Sequence, residues 1–135
     1  DGDSATSTEI YAILSSLSWV PIQQRFAVTG SADQFGRVQA IGGATEKTEG
    51  FYEVSSQFVN KAFEGGVNAV IIPATNVDDL MLKPSVVEAV RQGKFKIYGV
   101  RTISEGMELL TGQAYSEILR KAALRLEAIR AEAKK

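Results

Sequence analysis

Apolar positions at Ile10, Ile13, Leu14 and Leu17 recur at helical intervals and predict a first helix over Ala5 to Leu17. Trp19-Val20-Pro21-Ile22 ends it, because Pro21 disfavours helical backbone at Val20. Arg25-Phe26-Ala27-Val28-Thr29 reads as a short strand closed by Gly30, and Arg37 to Ile41 as a second strand. Asp33-Gln34-Phe35-Gly36 lies between them with the composition of a hairpin turn. Gly42-Gly43 leads into a second helix, about Thr45 to Phe63, with Phe51, Val54, Phe58 and Ala62 as its apolar face and Gly65-Gly66 as its stop.

Val67 to Ile72 (Val-Asn-Ala-Val-Ile-Ile) is the most strand-like stretch, a continuous β-branched run of the kind that is covered on both faces. A short helix from Ser85 to Gln92, opened by Pro84, leads to a strand at Phe95 to Val100. Ile103 to Leu110 and Ser116 to Ala133 close the chain as helices. The last is amphipathic: Ile118, Leu119, Ala122, Ala123, Leu126 and Ile129 share one face, expected to pack on the domain, opposite Arg120, Lys121, Arg125, Glu127, Arg130 and Glu132. Strands alternate with helices, so the fold class is α/β (α+β) in one unit.

Composition narrows the chemistry more than the fold. With 15 basic and 16 acidic side chains in 135 residues, nothing in the overall charge points to nucleic acid. No apolar run approaches a membrane span, and no secretory signal pattern opens the chain. The chain has no cysteine, which excludes disulfides, thiolate metal sites and cysteine nucleophiles. It also has no histidine, so the commonest general base and metal ligand is missing and proton transfer falls to a carboxylate, a lysine or a tyrosine. The first residue is not Met, which suggests a piece of a longer polypeptide.

Under that restriction Ser4 and Lys47 are the candidates. Ser4, in Asp-Gly-Asp-Ser-Ala-Thr-Ser, stands at a helix N-terminus, where free backbone N–H groups can receive an oxyanion. Lys47 follows Gly42-Gly43 early in a helix, where the positive end of the dipole disfavours a charged amine, while Glu46 and Glu49 would oppose that effect if close. Thr29, at a strand end, could accept a hydrogen bond from Lys47 and orient it. Taken singly, each has a plainer reading: Ser4 as a helix cap, Lys47 as a surface charge, Thr29 as a strand-end hydroxyl. Gly42-Gly43 lacks the surrounding pattern of a phosphate loop, and Asp78-Asp79 lacks the further ligands of a metal site.

Six collinear stretches change this weighing. They are Gly2-Asp3-Ser4-Ala5, Val20-Pro21-Ile22, Ala27-Val28-Thr29-Gly30, Gly36-Arg37-Val38-Gln39 with Ile41-Gly42-Gly43, Glu46-Lys47, and Val70-Ile71-Ile72-Pro73. In these the chain resembles the C-terminal proteolytic domain of Lon-family proteases, nearer to the archaeal-type B branch and its bacterial relatives. The resemblance runs from Asp1 to about Gly112, and the separation of Ser4 from Lys47 is that of the family's catalytic dyad. It implies Ser4 as nucleophile, Lys47 as general base, Thr29 as support for the lysine and Asp3 as an acidic neighbour that can hold an inactive arrangement. It implies the ribosomal protein S5 domain 2-like fold without its N-terminal strands, with residues 1–112 as the proteolytic domain and 113–135 as a C-terminal amphipathic helix of the same domain.

The activity so implied is ATP-dependent serine endopeptidase action on unfolded or damaged proteins. No cofactor is expected in this domain; ATP and Mg belong to a fused or associated AAA+ ATPase module. A homo-hexameric, cytoplasmic parent protein is expected, without nucleic acid or membrane as partner. Trp19 departs from the small residue, usually Gly, that the family has there. That departure and the missing strands keep open an alternative, a non-catalytic oligomerisation module on the same fold.

Overall fold

The computed structural model describes residues 6–58 and 68–134. In chain order these form α1 (Thr6–Ser18), β1 (Phe26–Val28), β2 (Ser31–Ala32), β3 (Val38–Gln39), α2 (Ala44–Phe58) and β4 (Ala69–Pro73). There follow α3 (Ala74–Val77), α4 (Pro84–Arg91), β5 (Lys96–Val100), α5 (Ile103–Thr111) and α6 (Tyr115–Ala133). Three strands make a parallel sheet in the order β1-β4-β5, with Phe26 opposite Ala69, Val28 opposite Ile71, and Ala69 opposite Lys96. The alternation of strand and helix read from the sequence is therefore the observed mixed α/β class.

β4 is the centre of the sheet, and each of its five residues is buried. Successive side chains of a strand point to opposite faces. Ala69 and Ile71 accordingly join Tyr11, Val20, Phe26, Val100, Ile103, Met107, Leu110 and Ile118 in one core, beneath α1, α5 and α6. Val70 and Ile72 join Val86, Ala89 and Phe95 in a second, closed by Phe51 and Tyr52 of α2. Tyr52 meets Phe95 edge-on, with ring centroids 5.4 Å apart. Helix starts follow local chemistry: Pro84 opens α4, and Thr102 caps α5 by accepting a bond from the Glu105 N–H at 3.2 Å.

Three expectations are corrected: the hairpin, the buried face of α2 and the packing of α6. The hairpin does not join the 25–29 strand to the 37–41 strand. β1 stays on β4, and the antiparallel pair is the short β2–β3 ribbon. Asp33 ties that turn: one carboxylate oxygen accepts from the N–H groups of Phe35 and Arg37, the other from the Arg37 guanidinium at 2.7 Å. These bonds, led by the Arg37 N–H, hold its carboxyl below the usual carboxylate range. In α2 the buried stripe is Ala44, Thr48 and Ser55, flanked by Phe51 and Tyr52, whereas Val54 is exposed. Reading apolarity alone chose an equally helical stripe, displaced around the helix; Ala62 and Gly65-Gly66 lie outside the described residues. α3 was not anticipated.

Along α6 only Ile118 and Ala122 are buried, and Leu119, Leu126 and Ile129 are exposed. The reason is length. α6 has 19 residues and α1, the helix it packs on, has 13. At a rise of about 1.5 Å per residue, α6 outruns its cover.

Tyr11 carries the tightest contact. It is 2% exposed, and a Cβ added to Gly106 would come within 1.9 Å of its hydroxyl oxygen. The hydroxyl has no hydrogen-bond partner among the described residues, and burial, with Glu105 nearby, pushes it up to about 12. Gly106→Ala should therefore destabilise by about 1–2 kcal/mol in denaturant unfolding, because overpacking exceeds the helix-propensity gain. Wild-type stability in that variant would mean that Tyr11 can move aside. Since Tyr11 holds its proton more tightly folded than unfolded, its contribution is complete below pH 10 and is lost as the pH rises to about 12. Tyr11→Phe should stay within about 1 kcal/mol of wild type at neutral pH and lose that alkaline decline.

Candidate active site

The site is built on the C-terminal end of β4. Thr29 continues β1 by one residue, its N–H donating to the Ile71 carbonyl at 3.0 Å. Its side chain is buried there, with the residue 6% exposed. Gly30 then turns the chain with φ +139°, and a Cβ at this position would sit 3.2 Å from both Pro73 Cγ and Val38 Cγ1. A side chain here would be strained by this φ and would have to push Pro73 and Val38 back by a few tenths of an ångström.

α1 is anchored to the same point. The Ser7 hydroxyl donates to the Gly30 carbonyl at 2.5 Å, and the Ser7 N–H reaches the same oxygen at 3.3 Å. Ser7 is buried and belongs to the first turn of α1, so that turn is fixed against the residue that follows Thr29.

α2 arrives by a different route. Asn76, in the short α3 that follows Pro73, accepts from the Ile41 N–H at 2.9 Å and donates its amide to the Ile41 carbonyl at 3.0 Å. The two bonds fix the orientation of the Asn76 amide, since only one choice of oxygen and nitrogen satisfies both. Ile41 directly precedes Gly42-Gly43, and the Lys47 N–H makes an early bond of α2 to the Gly43 carbonyl at 2.9 Å. On either side of Lys47, Thr45 Oγ1 accepts from the Met81 N–H at 3.2 Å and Glu49 accepts from the Lys83 N–H at 2.7 Å.

Lys47 is half-buried as the fourth residue of α2, with neither neighbouring acid paired to it. Glu49 is turned to Lys83, and Glu46 folds towards Gly43, its Oε2 3.6 Å from where a Cβ would stand. Among the described residues no hydrogen bond links Lys47 to the Thr29 hydroxyl. Ser4 and Asp3 lie outside the described residues. The structure thus brings the first turn of α1, Thr29-Gly30 and the head of the Lys47 helix to one strand end.

Sequence reading missed Ser7 and Asn76. Ser7 read as one more polar residue of a helix start; nothing local marks its partner 23 positions away. Asn76 had a weak signal, a polar residue shortly after the apolar run ended by Pro73, but its target lies 35 positions back. No group of three or more His, Cys, Asp or Glu residues able to hold a metal occurs among the described residues.

Comparison with known proteins places the chain in a family. Residues 1–113 match the family described as the Lon protease (S16) C-terminal proteolytic domain. A Lon protease homolog of Escherichia coli (strain K12) is 44% identical over 110 residues, covering 82% of this chain and 18% of that protein. A Lon protease homolog of Haemophilus influenzae is 40% identical over 113 residues, covering 84% of this chain and 18% of that protein. An archaeal Lon protease of Thermococcus kodakarensis is 38% identical over 123 residues, covering 90% of this chain and 17% of that protein. The chain thus spans under a fifth of the length of these relatives.

If Gly30 is the packing joint of the site, Gly30→Ala should be costly. The variant meets both an unfavourable φ and contacts on Pro73 and Val38, and should lose roughly 2–3 kcal/mol in denaturant unfolding. A loss below about 0.5 kcal/mol would show that the joint yields freely.

Proposed function

This chain belongs to the family of Lon protease C-terminal proteolytic domains, and from that premise we propose that it hydrolyses peptide bonds with Ser4 as nucleophile and Lys47 as general base. One observation carries the reading: the first turn of α1, which begins just after Ser4, and the helix bearing Lys47 are both tied to the C-terminal end of β4. Catalytic pairs need this kind of rigid common support, because their reach is a single hydrogen bond.

In the proposed cycle Ser4 Oγ attacks the scissile carbonyl while the Lys47 amine takes its proton. N–H groups at the start of α1, other than that of Ser7, which is engaged by the Gly30 carbonyl, receive the negative charge that develops on the carbonyl oxygen. Lys47 passes the proton to the leaving amine, then activates the water that hydrolyses the acyl-enzyme and restores Ser4. Thr29 supports the lysine in the working arrangement, and Asp3, beside the nucleophile, can hold Lys47 away from it in a resting one.

The substrates proposed are unfolded or damaged proteins, delivered by a fused or associated AAA+ ATPase module that binds ATP and Mg, in a homo-hexameric cytoplasmic parent protein. This domain itself needs no cofactor in the reading. No helix among the described residues is long and apolar enough to cross a membrane. A second reading, a non-catalytic oligomerisation module, draws support from the uncovered apolar residues Leu119, Leu126 and Ile129 of α6.

The full-length protein separates the two. Degradation of an unfolded protein with ATP present should fall by about 10³-fold or more in both Ser4→Ala and Lys47→Ala. Wild-type rates in both variants would remove the dyad and leave the oligomerisation module.

A further inference from the structure

We propose that Asn76 is a positioning residue for Lys47. This rests on the Ser-Lys reading above and adds to it a residue that touches neither substrate nor dyad. Asn76 is 9% exposed and spends its side-chain amide on both peptide groups of Ile41, as a neighbouring strand residue would. Ile41 needs such a partner because β3 ends at Gln39, two residues before it. Among the described residues, no other hydrogen bond to Ile41, Gly42 or Gly43 comes from outside α2.

Packing does not replace the clamp. Gly42 has no side chain, and a Cβ there would meet nothing within 4 Å. The bonds from Met81 and Lys83 reach Thr45 and Glu49, either side of Lys47, and hold the flank of the helix itself, whereas Asn76 holds the segment that enters it. Asn76 itself is set by β4, because α3 starts directly after Pro73. The strand end that receives Thr29 therefore also sets the entry of the lysine helix, and Asn76 is the link between them. Loss of that link leaves two peptide groups of a partly buried loop unpaired and lets the segment that enters α2 drift, and the first turn bearing Lys47 with it. A base displaced by about 1 Å costs about 100-fold in rate.

The experiment compares Asn76→Ala with wild type, Ser4→Ala and Lys47→Ala in the full-length protein. It follows peptide hydrolysis per folded molecule and hydrogen–deuterium exchange of the peptide spanning residues 38–50. The expected result is faster exchange confined to that peptide, with kcat down about 10- to 100-fold and KM within about 2-fold of wild type. Faster exchange with unchanged kcat, in a protein where Ser4→Ala and Lys47→Ala are inactive, overturns the positioning role and leaves the dyad standing. Unchanged exchange shows that the clamp does not hold the loop and overturns the proposal directly. Full activity in Ser4→Ala and Lys47→Ala overturns the dyad, and the positioning role with it.

Discussion

The constraint on which the structure depends is a strand buried on both faces. Ala69 to Pro73 has no exposed side, so β4 can be stable only when helices cover the sheet above and below. α1, α5 and α6 supply one cover, α2 and α4 the other. Because the strand is the shared floor of two cores, its C-terminal end is held from both faces. Pairing along β1 and β5 then fixes what leaves the sheet at that end: Thr29-Gly30 on one side, and Val100 and Thr102, the cap of α5, on the other.

A rigid strand end does not by itself position catalytic groups, which must be referenced to it by directional bonds. Ser7 and Asn76 provide these: the Ser7 hydroxyl joins its own N–H on the Gly30 carbonyl, and the Asn76 amide meets both peptide groups of Ile41, which no strand partner reaches. Neither bond need contribute more than about 1 kcal/mol to stability. Their value is geometric. Hydrophobic burial is non-directional and would tolerate α1 or α2 sliding over the core, whereas a buried hydroxyl or amide with one acceptor within reach tolerates no such slide.

This division explains what was legible in the sequence. The core strand was visible because double-sided burial demands an unbroken β-branched run, and Val70-Ile71-Ile72 is one. The catalytic candidates were visible because the chain lacks histidine and cysteine, so few residues remain for proton transfer, and because their separation matches a known family. The phase of α2 was not visible, since Thr48 and Ser55 take buried positions that apolarity would give to Val54. The β2–β3 ribbon was misjudged because its partner choice rests on Gly30 turning away at Pro73, a contact made 43 residues apart. Asn76 and Ser7 escaped for the same reason: a polar side chain states what it can bond to but not where that group will lie.

Trp19 shows how far a local rule can be overridden once the core is set. It follows the last residue of α1 with φ +59°, a left-handed conformation that glycine adopts at least cost. For a residue with a Cβ that conformation costs about 1–2 kcal/mol. The ring is 73% exposed, so burial recovers little, but the Arg125 guanidinium lies 4.5 Å above its centroid. Such a contact at an exposed site is worth about 0.5–1 kcal/mol, which offsets part of the strain and joins the end of α1 to α6. The remainder is smaller than what the next residue provides, because Val20 is 2% exposed in the main core and must enter it directly after the helix. The left-handed turn is therefore imposed by where Val20 has to go, and the tryptophan is tolerated there because Arg125 of α6 stands over its ring.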